Sequence, residues 1–301
     1  MTQEQSTTTP GKNGLTEFYM RPRPGLKRRV RGLITKHPLG AIGAALILIL
    51  ILVAIFAPLL APYDPTDQLA KRLLPPGGDY ILGTDHLGRD VLSRVIFASR
   101  VSLYVGVLAV GLALIIGLPI GVLTGYLGGT FDNVVMRFID LMLAFPALVL
   151  AIVLAGLLGP SITNAMIAIS IVYAPRFARV ARGSVLSVKE EVYIEAARVV
   201  GGSNGRILWI HVLPNIVAEL IVLATLQLST AILTEAGLSF LGLGTQPPDP
   251  SWGMMLSRGR QFMELAPGVT IFPGLAIAIT VLAFNFLGDG LRDALDPRLR
   301  Q

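Results

Sequence analysis

The chain predicts an all-α membrane protein, and three observations carry that prediction. Of its 301 residues, 53% are hydrophobic and only 15% charged, with a mean hydropathy of +0.67; a soluble domain carries about 25% charged residues. Uncharged runs recur along the chain, each long enough for a helix to cross a ~30 Å hydrocarbon core. Thirty-two glycines suit helices that approach closely in lipid, whereas a barrel would alternate apolar and polar residues. Soluble enzyme classes are thereby excluded. The absence of cysteine removes disulfides, thiol catalysis and Cys-ligated zinc. The net charge of +6 belongs to loops held at the cytoplasmic face rather than to a nucleic-acid surface, so no nucleic-acid partner is expected.

Six spans follow in order. Pro38 to Tyr63 is a stretch of 26 residues without a charged residue or histidine, so 37–63 is the first transmembrane helix. It starts too deep in the chain, runs too long, and lacks the small-residue cleavage site of a signal peptide. An extracytoplasmic loop, 64–99, comes next. Within it Thr84 or Asp85 can cap a helix whose apolar Leu87, Val91 and Val95 recur every fourth residue, beside basic Arg89 and Arg94. Such a helix, Asp85 to Phe97, should lie in the membrane interface. It is either a surface anchor or part of an outer gate or docking surface, with Asp85, Arg89, Asp90 and Arg94 as candidate residues.

The second span occupies the uncharged stretch after Arg100 and ends near Tyr126, because Gly128 and Gly129 break the helix. The third is expected at about 134–157 and the fourth at about 162–181, with Gly159-Pro160-Ser161 between them. The fifth, about 216–238, contains Glu219 and Glu235, and the sixth, Leu265 to Gly288, is 24 residues without a charge. Residues 100–289 thus form the transmembrane core, flanked by a partly disordered N-terminal tail, 1–36, and a C-terminal tail, 290–301. Six spans put both tails on one side. Eighteen of the 25 Lys and Arg residues fall on the tails, the 127–137 turn and the 176–206 segment, which places those parts in the cytoplasm.

The longest cytoplasmic loop, Lys189 to Asn215, carries the most specific pattern. Val192, Ala196 and Val199 form one apolar face of a helix. Gly201-Gly202 ends it, since glycine takes the left-handed conformation cheaply, and Ser203 or Asn204 can cap a second helix that Pro214 limits near Leu213. The product is a helical hairpin at the membrane surface, with Glu195 between small neighbours as expected of a helix seated in another protein's groove.

Glu195-Ala196-Ala197, then after three intervening residues Gly201, then Leu213-Pro214 resembles the coupling-loop signature of bacterial ABC importer permeases, with His211 as a variant. Leu82 to Arg94, Ser251 to Met255 and Gly288 to Pro297 resemble the second permease subunit of dipeptide and oligopeptide transporters. The resemblance covers about residues 35 to 300. It implies the type I ABC importer permease fold with six transmembrane helices and a cytoplasmic coupling-helix hairpin, in a multi-pass protein of the bacterial inner membrane. It implies that Glu195, Ala196, Ala197, Gly201, His211, Leu213 and Pro214 form an ATPase-coupling loop. The implied partners are a homologous second permease, two ABC ATPases and an extracytoplasmic substrate-binding protein, with membrane lipid around them. The implied cargo is a dipeptide or oligopeptide, or alternatively glutathione or a nickel chelate.

No cofactor is expected on this chain. No G-x-x-x-x-G-K-[ST] occurs in it, so ATP and Mg belong to partner subunits. A catalytic site is not expected either, because no Ser-His, His-Glu-x-x-His or paired-acid arrangement appears. His37, His86 and His211 lie far apart, so no metal site is expected. Gly117, Gly121 and Gly125 recur every fourth residue and give a face on which another helix can lie. Asp140 can pair with Arg137 one turn earlier, and Glu219 has a local partner or an interface position. Glu235 in the outer half of the fifth span is a candidate for the substrate path, where a carboxylate can meet a peptide's amino terminus, or a plain packing residue. A stand-alone secondary transporter would show a buried ion relay and an internal repeat, and neither is visible.

Overall fold

A computed structural model describes residues 37–68 and 70–295. The N-terminal tail, 1–36, and residues 296–301 of the C-terminal tail, including Pro297, lie outside the described residues. Among the described residues the secondary structure is helical, with only isolated bridges pairing Gly77 with Tyr80 and Thr84 with Asp90.

The first span is helix α1, Pro38–Ile55, followed by a separate turn, α2, Ala57–Leu60. Pro58 forces the break, since a proline ring clashes with the preceding turn and supplies no N–H. The Arg100 guanidinium donates to the carbonyls of Ala54 and Ile55 that the break leaves open. Gly40 and Gly43 then let α1 lie on the last helix. A Cβ on Gly40 would stand 2.7 Å from the Gly290 Cα.

Helix α3 runs without interruption over Val91–Leu127, 37 residues, about 56 Å at ~1.5 Å per residue. This corrects the expectation of a separate interfacial helix over Asp85 to Phe97. Asp90, not Asp85 or Thr84, is the cap, accepting from the Ser93 N–H at 2.7 Å. Nothing between Val91 and the expected start of the second span breaks a helix, so the two elements are one. Gly128, at φ +68°, ends it.

The expected third span is two helices, α4, Gly129–Ala144, and α5, Ala147–Leu158, bent by 94°. Phe145 precedes Pro146 and is therefore driven out of the helical region, to φ −83°, ψ 141°. Helix α6, Ile162–Lys189, is 28 residues long, enough to cross a bilayer at about 42 Å. Its polar side is stitched to its neighbours. Arg182 takes both oxygens of Asp132 on α4 at 2.6 Å, Arg179 pairs with Asp140, and Arg176 donates to Gln227 at 3.1 Å. Asp140 thus pairs across helices and not with Arg137, and Glu219 accepts from the Ser184 hydroxyl. Among the described residues four helices are long and apolar enough to cross a membrane, or five with the bent pair counted as one span. The arginines of α6 leave it short of that apolarity.

Next come α7, Val192–Val199, and α8, Asn204–Ile207, which passes through a π-turn, Leu208–Val212, into α9, Leu213–Phe240. Pro214 does not end the preceding helix as expected. The wider π-turn bonds the Leu213 N–H back to the Leu208 carbonyl, so the helix continues around the missing proline N–H. Helix α10, Trp252–Gly259, and α11, Gly268–Leu295, are the last described elements. The core sits where α3, α6 and α9 meet, around Val105, Ala109, Ile169, Phe177, Ile216 and Ala231.

Gly117, Gly121 and Gly125 build that core. Along one face of α3 they meet α6 so closely that a Cβ on Gly117 would lie 2.7 Å from the Phe177 Cβ, and one on Gly121 equally near the Ala181 Cβ.

Candidate functional site

Helix α7 ends in a turn that only glycine fits well. Gly201 has φ +86°; its N–H bonds to the Arg198 carbonyl at 2.9 Å and that of Gly202 to the Ala197 carbonyl at 2.9 Å. That pair of bonds is a Schellman cap. Ser203 then caps α8, accepting from the Arg206 N–H at 3.4 Å. The expected hairpin is therefore present, but its second arm is continuous with α9 through the π-turn.

The hairpin is seated by Ile194, Ile207 and Val212, all buried, with Ala197 half-buried. The expected apolar face points the other way. Val192 is 79% exposed and Val199 83% exposed, Ala196 lies exposed between them, and Val200 and Trp209 extend the same apolar exposure. Glu195 is exposed beside them, His211 and Leu213 are half-buried, and Pro214 is exposed. The Asn215 side-chain amide donates to the His211 carbonyl. This apolar surface is rimmed by the exposed Glu191, Glu195 and Arg198, the pattern of an interaction surface rather than of a packed core.

Tyr126, which the sequence reading passed over, fastens the hairpin to the membrane core. Its hydroxyl donates to Asn204 Oδ1 at 2.8 Å, and its carbonyl accepts from Lys189 Nζ at 2.8 Å. The same ammonium lies 5.6 Å from its ring centroid. One residue at the end of α3 thus holds both the start of the hairpin and the turn between its arms. Only its place next to the Gly128-Gly129 break hinted at this. Tyr126→Phe removes one hydrogen bond, a net change of about 1 kcal/mol. Hydrogen exchange of the 203–207 amides should accelerate about fivefold with the protein yield unchanged; unaltered exchange there would show that the bond holds nothing.

On the opposite end of the fold, Asp85, Arg89 and Arg94 come together while Asp90 does not join them. Asp85 Oδ1 accepts from the backbone of Leu87 and Arg89 at 2.8 and 3.0 Å. Its Oδ2 takes the Arg89 fork, at 2.7 Å from both Nε and Nη2, and stands 3.6 Å from Arg94 Nε. Arg94 also donates to the Pro65 carbonyl at 2.7 Å. Thr84 pins the loop behind them, accepting from the Leu74 N–H at 2.9 Å and donating to the Lys71 carbonyl at 2.7 Å. Asp85, Arg89 and Arg94, with His86 and Leu87, line a cleft of about 150 Å³ that Pro247, Pro248, α10 and the start of α11 close.

Glu235 is fully buried between the chain's own helices, and the Ser239 hydroxyl donates to its Oε1 at 2.7 Å. It lines no open path in this conformation. Among the described residues no group of three or more His, Asp or Glu side chains is placed to hold a metal ion.

Comparison with known proteins places these features in a family. Residues 117–301 match the family described as the binding-protein-dependent transport system inner membrane component, and residues 28–76 match the N-terminal transmembrane domain of oligopeptide transport permease C. The chain is 48% identical to the dipeptide transport system permease protein DppC of Alkalihalophilus pseudofirmus, over 89% of this chain and 88% of that protein. It is 46% identical to DppC of Haemophilus influenzae, over 86% and 90%. The glutathione transport system permease protein GsiD of Escherichia coli O6:K15:H31 is 47% identical over 85% and 86%. An inward-facing structure of the MetNI methionine ABC transporter superposes with a TM-score of 0.57 at 20% identity, covering 68% of this chain and 97% of that one, which shows a shared fold.

Proposed function

Because this chain belongs to the family of binding-protein-dependent transport system inner membrane components, we propose that it forms half of the path by which small peptides enter the cell. The observation that carries the substrate class is near-equal identity to dipeptide and glutathione permeases across almost the whole chain. Glutathione is itself a tripeptide, so both point to a short peptide. A homologous second permease would complete the path. An extracytoplasmic binding protein would deliver the peptide. Two ATPases would bind ATP and Mg and hydrolyse the nucleotide.

In this reading the exposed stripe of Val192, Ala196 and Val199 seats in an ATPase groove, with Glu195 beside it. Motion of the ATPases then enters the membrane as a rigid-body shift of the hairpin. Two routes lead inward from there. The π-turn joins the hairpin directly to α9, and Tyr126 ties it to α3. The glycine-packed α3 and α6 would follow as a unit, because their backbones are in contact.

The test of substrate is uptake of labelled dialanine and labelled glutathione in cells with and without this chain, the rest of the transporter being present. Loss of either uptake on deletion supports the proposal, and loss of neither removes it. Orientation has its own test. The chain is naturally free of cysteine, so Arg72→Cys should react with a membrane-impermeant reagent in intact cells and Arg198→Cys should not. The reverse pattern would put the hairpin outside, where no ATPase can reach it.

A further inference from the structure

The outer cleft holds more positive charge than its own carboxylate can match. Arg89, Arg94 and Arg258 line it against the single carboxylate of Asp85. Arg89 and Arg94 are 8% and 2% exposed, and both converge on the same Asp85 oxygen. Arg258, exposed at the rim, has no ion pair among the described residues. Two buried guanidinium groups thus share one carboxylate, an arrangement that a second negative charge in the cleft would balance.

His86 adds a second, independent sign of a missing partner. Its ring stacks on Phe262 with centroids 5.6 Å apart, while its Nδ1 is buried without a hydrogen-bond partner. Burial first, then Arg89, Arg258 and Arg94, hold the imidazole below its ordinary pKa against the opposing pull of Asp85. A neutral imidazole next to three guanidinium groups is suited to donate Nδ1–H to an anionic oxygen.

Shape selects the anion. Pro248, Met254, Met255 and Val269 make the remaining wall apolar. A planar carboxylate places both oxygens toward the arginines and its carbon chain toward the methionines. A tetrahedral phosphate would turn an oxygen onto the methionines, leaving it without a partner. The volume of about 150 Å³ admits a body of roughly benzene's size, which is one side chain and not a whole peptide.

We propose that this cleft is a receptor for one carboxylate carried on an apolar group the size of a single side chain. The binding chemistry stands apart from the transport reading. Only the source of the carboxylate, an acidic side chain of the binding protein or the carboxyl terminus of a peptide, rests on it.

The experiment places trifluoromethylphenylalanine at position 262 of the full chain in the assembled transporter in nanodiscs and follows its fluorine resonance. Isovalerate should shift the signal saturably, and isobutylamine should leave it unmoved. Arg258→Gln should weaken the isovalerate response about tenfold, and Arg258→Lys should keep most of it. Dialanine is then compared with its C-terminal amide, and purified binding protein is added in a third arm. A response to dialanine but not to the amide assigns the source to the peptide, and a response to the binding protein assigns it to that partner. No response to isovalerate, an equal response to inorganic phosphate, or indifference to Arg258→Gln overturns the proposal, whatever the transport assays show.

Discussion

Gly121→Leu should leave little assembled protein. A Cβ at that position would stand 2.7 Å from the Ala181 Cβ, and the surrounding backbone of α3 and α6 cannot yield without separating the helices. Overpacking of this kind costs about 3 kcal/mol, at the top of its usual range, and changes of that size lower steady-state abundance severalfold or more. The same helix supplies its own control. Gly111 has nothing within 4 Å of an added Cβ, so Gly111→Leu should accumulate as the parent does. Thermal melting of the detergent-solubilised transporter and its level in membranes would both report the difference. Equal behaviour of the two variants would mean that the glycine face of α3 does not set the packing of the core.

Gly201→Val should produce the opposite pattern, a protein that accumulates and fails to transport. No atom lies within 4 Å of a Cβ at Gly201, so crowding plays no part, but its φ of +86° is a conformation that costs an L-residue about 1–2 kcal/mol and a β-branched one more. The Schellman turn should open, and the exposed stripe of α7 should lose its fixed direction relative to α9. Asparagine tolerates the left-handed region better than other side chains, so Gly201→Asn should recover much of the transport. Uptake per assembled complex is the quantity to measure. Normal uptake by the valine variant would show that coupling does not need this turn.

Uncharged runs made the spans legible because lipid tolerates so few charged side chains, and the glycine spacing on α3 pointed to close packing for the same steric reason that the structure shows. Proline was harder to interpret. Pro146 breaks the third span by fixing Phe145 in an extended conformation, while Pro214, expected to stop a helix, is absorbed by a π-turn whose wider bonding no local pattern announces. Thr84 and Asp85 are the expected caps, but the helix starts after Asp90, whose carboxylate reaches the Ser93 N–H.

Tertiary partners were the least visible. Asp140 has Arg137 one turn away, yet its partner is Arg179 on another helix. Periodicity identified the face of Val192, Ala196 and Val199 but not that it points away from the chain, because direction is decided by Ile194 finding the core. The residues of the proposed coupling loop stood out for a different reason. Their spacing is a long motif, whereas Tyr126 is a single aromatic with contacts 63 and 78 residues away.

ATP hydrolysis and uptake of labelled dialanine, measured together in vesicles holding this chain, its second permease and the ATPases, test the central claim most directly. With nucleotide and ATPases on the hairpin side and binding protein on the other, uptake should follow hydrolysis and stop when the ATPases are omitted or Gly201→Val is introduced. Uptake that continues without ATPases under an ion gradient would contradict it, and would make this chain a transporter driven by something other than the α7 contact.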